Sequence, residues 1–278
     1  MKDGQWYPGS MAKALETLRQ DLKIIDLVIE LLDARIPFSS RNPAIAGLLG
    51  SKKHILLLHK ADRAEEAITE RWLSYYRAEN YYAMPFSIHG KKFLNQFLSF
   101  LKTEEANLRP TRIKRPLRMM FVGIPNVGKS TIINFIVKKA VARAANQPGI
   151  TRGRQWIRIT PGLELLDTPG VLWPRIAEDT TLPLAAVGAM PPERIGIDEI
   201  VLWLIKLFLE KGREGNLFLR YKDLTPGSAE DLFHQIGLSQ GCLISEGKVD
   251  PKRTAGIILR DFQNGSLGRF TIEEPPCL

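Results

Sequence analysis

The stretch that most constrains this chain is Gly123-Ile-Pro-Asn-Val-Gly-Lys-Ser130, followed by Thr131. It fits G-x-x-x-x-G-K-[ST], a loop whose backbone N–H groups wrap around phosphate oxygens. Glycines let the backbone approach the anion closely, and the start of the next helix adds partial positive charge. Arg118-Met-Met-Phe-Val122 before the loop reads as a buried strand, and Ile132 to Lys138 after it as a helix. That strand–loop–helix setting separates a phosphate site from an ordinary glycine turn. Lys129 is expected to reach the terminal phosphates and Ser130 to offer its hydroxyl to magnesium. Asn126, Val127, Gly128 and Thr131 complete the expected nucleotide-binding loop.

Around this loop, strand patterns alternate with helical ones. Leu15, Leu18 and Leu22 recur at helical spacing within residues 11–23. Asp26-Leu-Val-Ile-Glu-Leu-Leu32 reads as a strand ending in Asp33-Ala-Arg-Ile-Pro37, and His54-Ile-Leu-Leu-Leu58 as one ending at His59-Lys-Ala-Asp62. A helix over about 66–78 leads to Tyr81-Tyr-Ala-Met-Pro-Phe86, which ends at Ser87-Ile-His-Gly90. Residues 93–108 read as helix, and the basic, proline-flanked Arg109 to Pro116 as a linker. Residues 155–159 and 163–166 predict a hairpin ending at Asp167-Thr-Pro-Gly170. Such alternation predicts a mostly parallel α/β sheet flanked by helices, with each motif at a strand's carboxyl end, where these sheets bind ligands. Beyond about 178 the period becomes helical, over 198–211, 229–237 and 252–263. The expected organisation is therefore an α/β domain over 1–178 and a smaller all-α domain over 179–278.

Four further elements bear on the nucleotide, two on its base and two on its phosphates and metal. His59-Lys-Ala-Asp62 has the shape of the N-K-x-D element that reads guanine. Its Asp62 would accept hydrogen bonds from guanine N1–H and the exocyclic amine. Adenine lacks that donor pair, so the carboxylate would be stranded and ATP penalised. The Lys60 stem would lie along the base, with Ala61 between the two. His59 stands where Asn is usual, and its ring can still donate a hydrogen bond. Ser87 and Ile88 open the weaker S-A-x-x-G element, whose backbone N–H meets guanine O6, with Ile88 in place of Ala. In the D-x-x-G element, Asp167 is expected near magnesium through water, and the Gly170 N–H on the γ-phosphate. Thr151, within Pro148-Gly-Ile-Thr-Arg152, is placed to ligate magnesium only while the γ-phosphate is present. The base-reading elements precede the phosphate loop, whereas in an ordinary GTPase they follow it. The domain is thus a circularly permuted P-loop GTPase domain, its old ends joined through residues 104–116.

At this point the chain resembles the ribosome biogenesis GTPase A family (RbgA/YlqF), nearly end to end. The resemblance includes Trp6-Tyr-Pro-Gly-Ser-Met-Ala-Lys13, Asp33-Ala-Arg-Ile-Pro37 with Arg41-Asn-Pro43, and Gly170-Val-Leu-Trp-Pro174. It continues through the closing segment from Asp261 to Glu273. It implies a GTPase that docks on immature large ribosomal subunits late in assembly, with the helical domain gripping ribosomal RNA. Family members lack the water-positioning glutamine after D-x-x-G, and here that place is Val171. They are thought to use potassium at the phosphate loop, held partly by the residue matching Asn126. The resemblance further implies Lys129, Thr151 and Gly170 as the catalytic set. The family's amino-terminal His, held to assist hydrolysis, is here Ser10. A hydroxyl orients water but is no base near neutral pH. As an N-cap for residues 11–23, Ser10 has an ordinary structural use.

Composition narrows the partners. A net charge of +9 favours an acidic partner such as RNA over a nucleotide alone. Cys242 and Cys277 lack metal-ligand spacing, and a reducing, cytoplasmic or organellar-matrix compartment is expected. The longest apolar run, Ile200 to Ile205, is too short to span a bilayer, so no membrane insertion is expected, and a monomer is. The competing readings are a GTP-responsive ribosome-binding factor with little hydrolysis, because of Ser10, and a small-molecule kinase using the loop. The guanine-reading elements argue against the kinase.

Overall fold

In the computed structural model, residues 16–50, 52–108, 115–141, 156–166 and 177–276 are described. The chain divides into two compact units, residues 1–176 with 273–278 and residues 177–272. The last residues, from Glu273, therefore lie with the first unit rather than with the helical one.

The first unit is built on a six-stranded sheet. Its strands are β1 (Leu27–Asp33), β2 (Lys53–His59), β3 (Tyr82–Phe86), β4 (Leu117–Gly123), β5 (Trp156–Thr160) and β6 (Leu163–Leu166), in the order β3-β2-β1-β4-β6-β5. Every pairing is parallel except the β5–β6 hairpin. All seven residues of β1 are buried, as a strand covered on both faces requires. On one face, Leu18 and Leu22 of α1 (helical over 16–22) pack with Val28, Met120 and Val122. Trp72, Leu73 and Tyr76 of α3 (Glu66–Ala78) pack there with Leu32, Leu56 and Leu58. On the other face, Phe97 of α4 (Lys91–Leu108) meets the rings of Phe86 and Phe121.

A short helix, α2 (Pro43–Leu49), was not anticipated from sequence. Its entry is fixed from the sheet, where buried Glu30 Oε1 accepts the Asn42 N–H at 3.1 Å. The helix after the phosphate loop, α5 (Lys129–Val141), begins three residues before its apolar pattern, because the loop's own Lys and Ser form its first turn.

In the second unit, five helices pack around Ile200, Leu204, Phe208, Ile258 and Phe262. These are α6 (Glu178–Ala186), α7 (Ile197–Glu210), α8 (Glu214–Arg220), α9 (Ala229–Ser239) and α10 (Pro251–Asn264). Local chemistry sets several ends. Ser228 and Asp231 form a reciprocal capping box at α9, and Asp250 caps α10 ahead of Pro251. Gly265 stops α10 in a left-handed turn, after which Phe270 stacks on Phe208 at 3.9 Å between centroids. Two of the five, α6 and α8, went unread in the sequence. Pro183 interrupts the pattern of α6, and α8 has only seven residues.

Candidate nucleotide site

Parallel pairing brings the ends of β1, β2, β3 and β4 to one edge of the sheet. Gly123 closes β4 with φ +152°, and a Cβ there would stand 2.7 Å from the Leu31 carbonyl oxygen. Only glycine lets the chain leave β4 this close to β1. Asn126 sits in the left-handed region at φ 56° with an exposed side chain. Buried Lys129 turns its ammonium back into the loop, donating to the carbonyls of Gly123 (3.1 Å) and Ile124 (2.8 Å). Val127 is buried, whereas Ser130 and Thr131 are exposed on the first turn of α5.

The base-reading segment arrives from β2. Register places His59 opposite Phe86 of β3 and Asp33 of β1, and the His59 carbonyl accepts the Ala34 N–H at 2.8 Å. His59 is buried, and a Cβ added to Gly128 would lie 2.8 Å from its Cδ2 and Nε2. With φ +108° as well, Gly128 fits the phosphate loop against this ring as no other residue could. The imidazole Nδ1 makes no hydrogen bond of good geometry among the described residues. Burial, reinforced by the neighbouring Lys60 charge, pushes the His59 pKa down to about 4, so the ring is neutral at pH 7.

Lys60 turns through the left-handed region, φ 60°. Its Nζ donates to Asp33 Oδ2 at 2.9 Å and to the Asn126 carbonyl of the phosphate loop at 3.3 Å. The base-reading segment and the phosphate loop, 66 residues apart, are thereby joined directly. Ala61 donates its N–H to the Phe86 carbonyl at 3.1 Å, tying the segment to the third motif. Asp62 is half-buried with Arg63 Nε 4.0 Å from its Oδ2. Ser87 is buried and accepts the His89 N–H at 3.0 Å, while Ile88 is half-buried.

The structure thus brings together His59, Lys60, Asn126, Gly128 and Lys129. Ser10, Thr151, Asp167 and Gly170 lie outside the described residues, as does the linker over 109–114. His54, one of the other histidines, is engaged by Glu30 at 3.0 Å. His89 is exposed in the turn after β3, and His234 lies on α9. Two features escaped the sequence reading. One is Asp33, whose position in register beside His59 was the available signal. The other is where basic residues converge on the second unit. There, Arg213, Asn216, Leu219, Arg220, Ser266 and Arg269 line a groove of about 560 Å³. Of Lys248, Lys252, Arg253, Arg260 and Arg269, the basic residues that the sequence spreads along this region, only Arg269 lines it.

The phosphate loop has the geometry to hold a nucleotide's phosphates. Glycine is obligatory at both of its ends, a buried lysine lies beneath it, and a helix starts at its exit. Ser130 is the described residue that could hold magnesium beside those phosphates. Among the described residues no group of three or more His, Cys, Asp or Glu forms a metal cluster.

Comparison with known proteins agrees with this geometry. Residues 118–203 match the family model described as 50S ribosome-binding GTPase. Ribosome biogenesis GTPase A of Priestia megaterium is 39% identical over 279 residues, covering 98% of this chain and 96% of that protein. The protein of the same name from Thermotoga maritima is 30% identical over 272 residues, covering 97% and 94%. A crystal structure of GNP-bound YlqF from Thermotoga maritima superposes with a TM-score of 0.69 at 27% identity, covering 96% of this chain and 100% of that one. With its permuted order of motifs, its sheet and relatives of this identity along nearly its whole length, the chain belongs to the ribosome biogenesis GTPase A family.

Proposed function

We propose that this chain hydrolyses GTP to GDP and phosphate as a switch in late assembly of the large ribosomal subunit, and that it contacts ribosomal RNA. Membership of the family makes it a GTP-binding, GTP-hydrolysing ribosome assembly factor. The single observation that supports the site assignment is the Lys60 ammonium reaching the Asn126 carbonyl, a direct bond between the segment we read as base-reading and the phosphate loop.

In this reading, Asp62 and Lys60 select guanine, with the backbone of Ser87 and Ile88 at its O6 edge. Lys129 and the N–H groups of the loop from Asn126 to Thr131 hold the β- and γ-phosphates, and the Gly170 N–H meets the γ-phosphate. Water attacks the γ-phosphorus in line, the bond to the β–γ bridging oxygen breaks, and Lys129 stabilises the charge gathering on that oxygen. Magnesium, when bound, would neutralise phosphate charge, held by Ser130, Thr151 and, through water, Asp167. Potassium would add to that neutralisation beside Asn126. Because Val171 cannot position water and Ser10 is no base, hydrolysis is slow in the free protein and is raised by the ribosomal subunit.

Arg213, Arg220 and Arg269 around the second unit's groove supply charge matched to an RNA backbone. The division of labour we assign gives nucleotide hydrolysis to the first compact unit, residues 1–176 with 273–278, and RNA binding to the second, residues 177–272. The protein acts as a monomer where ribosomes are built, in a bacterial cytoplasm or an organellar matrix. The described residues hold no helix long and apolar enough to cross a membrane.

The test is binding of labelled GTP and ATP by the wild type and Lys129→Ala, followed by co-sedimentation with large subunits. Preference for GTP, its loss in Lys129→Ala and GTP-dependent co-sedimentation are expected. Equal affinity for ATP would overturn the guanine assignment, and subunit binding indifferent to nucleotide would overturn the switch.

A further inference from the structure

The segment Asp33-Ala-Arg-Ile-Pro37 has so far no part in the chemistry, yet its first residue is a fully buried carboxylate beside the nucleotide pocket. Asp33 Oδ1 accepts from the Arg35 backbone N–H (3.1 Å) and from its Nε (2.9 Å), and Oδ2 accepts from Arg35 Nη2 (2.9 Å). The same Oδ2 accepts the Lys60 ammonium at 2.9 Å. One carboxylate therefore faces two cations, and burying three charges together is costly unless the arrangement is held rigidly.

The surrounding loop provides that rigidity. The Ser40 hydroxyl accepts the Asp33 N–H at 3.0 Å and donates to the Ile36 carbonyl at 2.6 Å. The Tyr76 hydroxyl donates to the Pro37 carbonyl at 2.9 Å. The Glu273 carboxylate accepts the N–H groups of Phe38 (2.7 Å) and Ser39 (3.1 Å). The guanidinium fixes the carboxylate and the carboxylate fixes the lysine. Lys60 is otherwise a long side chain on a left-handed backbone, with many rotamers to lose on binding.

We propose that Asp33 is a positioning residue of the nucleotide site, holding Lys60 against the phosphate loop in the geometry that a bound guanine nucleotide needs. The inference rests on the reading of Lys60 as a base-contacting residue. Asp33 touches neither base nor phosphate. It acts by removing, before the nucleotide arrives, the freedom that Lys60 would otherwise lose.

A double-mutant cycle in affinity for GDP and GTP tests this, using Asp33→Asn, Lys60→Met and the pair, at a temperature where circular dichroism shows each variant folded. Asp33→Asn is expected to weaken GDP and GTP alike by about tenfold to a hundredfold, the range for losing a hydrogen bond to a charged group. The pair should bind no worse than Lys60→Met, because Asp33 acts through that lysine. A folded Asp33→Asn with wild-type affinity, or losses that multiply in the pair, would overturn the proposal while leaving the base-reading assignment standing. Unchanged affinity in Lys60→Met would overturn both. Lysine-selective ¹⁵N NMR of the nucleotide-free wild type decides the matter if Asp33→Asn does not fold. A held ammonium gives an Nζ–H signal protected from water exchange, assigned by its absence in Lys60→Met. Absence of any such protected signal would overturn the proposal.

Discussion

Replacing His59 by asparagine, the residue usual at this place in the base-reading element, makes a pH-dependent prediction with a definite sign. The ring is buried against Gly128 and Phe86, and burial, followed by the Lys60 charge, holds its pKa at about 4, against the ordinary value of 6.5. Between those two values the unfolded chain binds the proton and the folded chain does not. Protonation therefore favours unfolding. The contribution is present in full above pH 6.5 and is lost as pH falls toward 4. From the two pKa values, the wild type should lose about 2 kcal/mol between pH 7 and pH 5, and about 3 kcal/mol by pH 4, from this residue alone. Asparagine has no such titration. Urea unfolding of both proteins at pH 7, 6, 5 and 4.5, read as the difference in free energy, isolates the effect from carboxylates common to both. The wild type should lose stability relative to His59→Asn as pH falls. A difference that stays constant across this range would refute the burial of a neutral imidazole beside the phosphate loop.

Other perturbations follow from the same geometry. Gly123→Ala, with its Cβ driven to 2.7 Å from the Leu31 carbonyl at φ +152°, should destabilise the fold by about 2–4 kcal/mol in urea unfolding. Wild-type stability there would mean that β4 leaves the sheet differently. Arg213→Glu with Arg269→Glu, on the groove of the second unit, should weaken binding to ribosomal RNA and flatten its salt dependence, by about one unit of slope for each phosphate no longer neutralised. GTP affinity should not change. Ser10→His, restoring an imidazole to the family's position, should raise the hydrolysis rate with little change in GTP affinity, measured by single-turnover phosphate release. An unaltered rate would show that the histidine's role does not transfer to this chain.

Much of the first unit was legible because its signals are local. β1 and β2 are short, mostly apolar runs, and α3 carries Trp72, Leu73 and Tyr76 at helical spacing on one buried face. The phosphate loop declares itself by type and spacing. What sequence could not show depends on partners distant along the chain. Glu273 holds the Phe38 and Ser39 N–H groups, and its carbonyl accepts the Trp72 indole N–H at 3.0 Å, 201 residues away. No periodicity announces such a return. α2 needs Glu30 of β1 to hold its entry, and its seven residues are too few for a helical period to register. At the site itself, Asp33 read as the end of a strand. Only the parallel register, setting it opposite His59, reveals that it faces Lys60. Arg213 lies just before α8 and Arg220 at its end, in a helix whose pattern is too short to read, so their convergence with Arg269 emerged from the packing of the second unit.

The most direct test of the central claim is GTP hydrolysis with and without large ribosomal subunits, in potassium and in sodium, with ATP as control. The account predicts slow turnover alone, strong stimulation by subunits in potassium and little activity on ATP. Hydrolysis indifferent to subunits, or equal turnover of ATP, would contradict it.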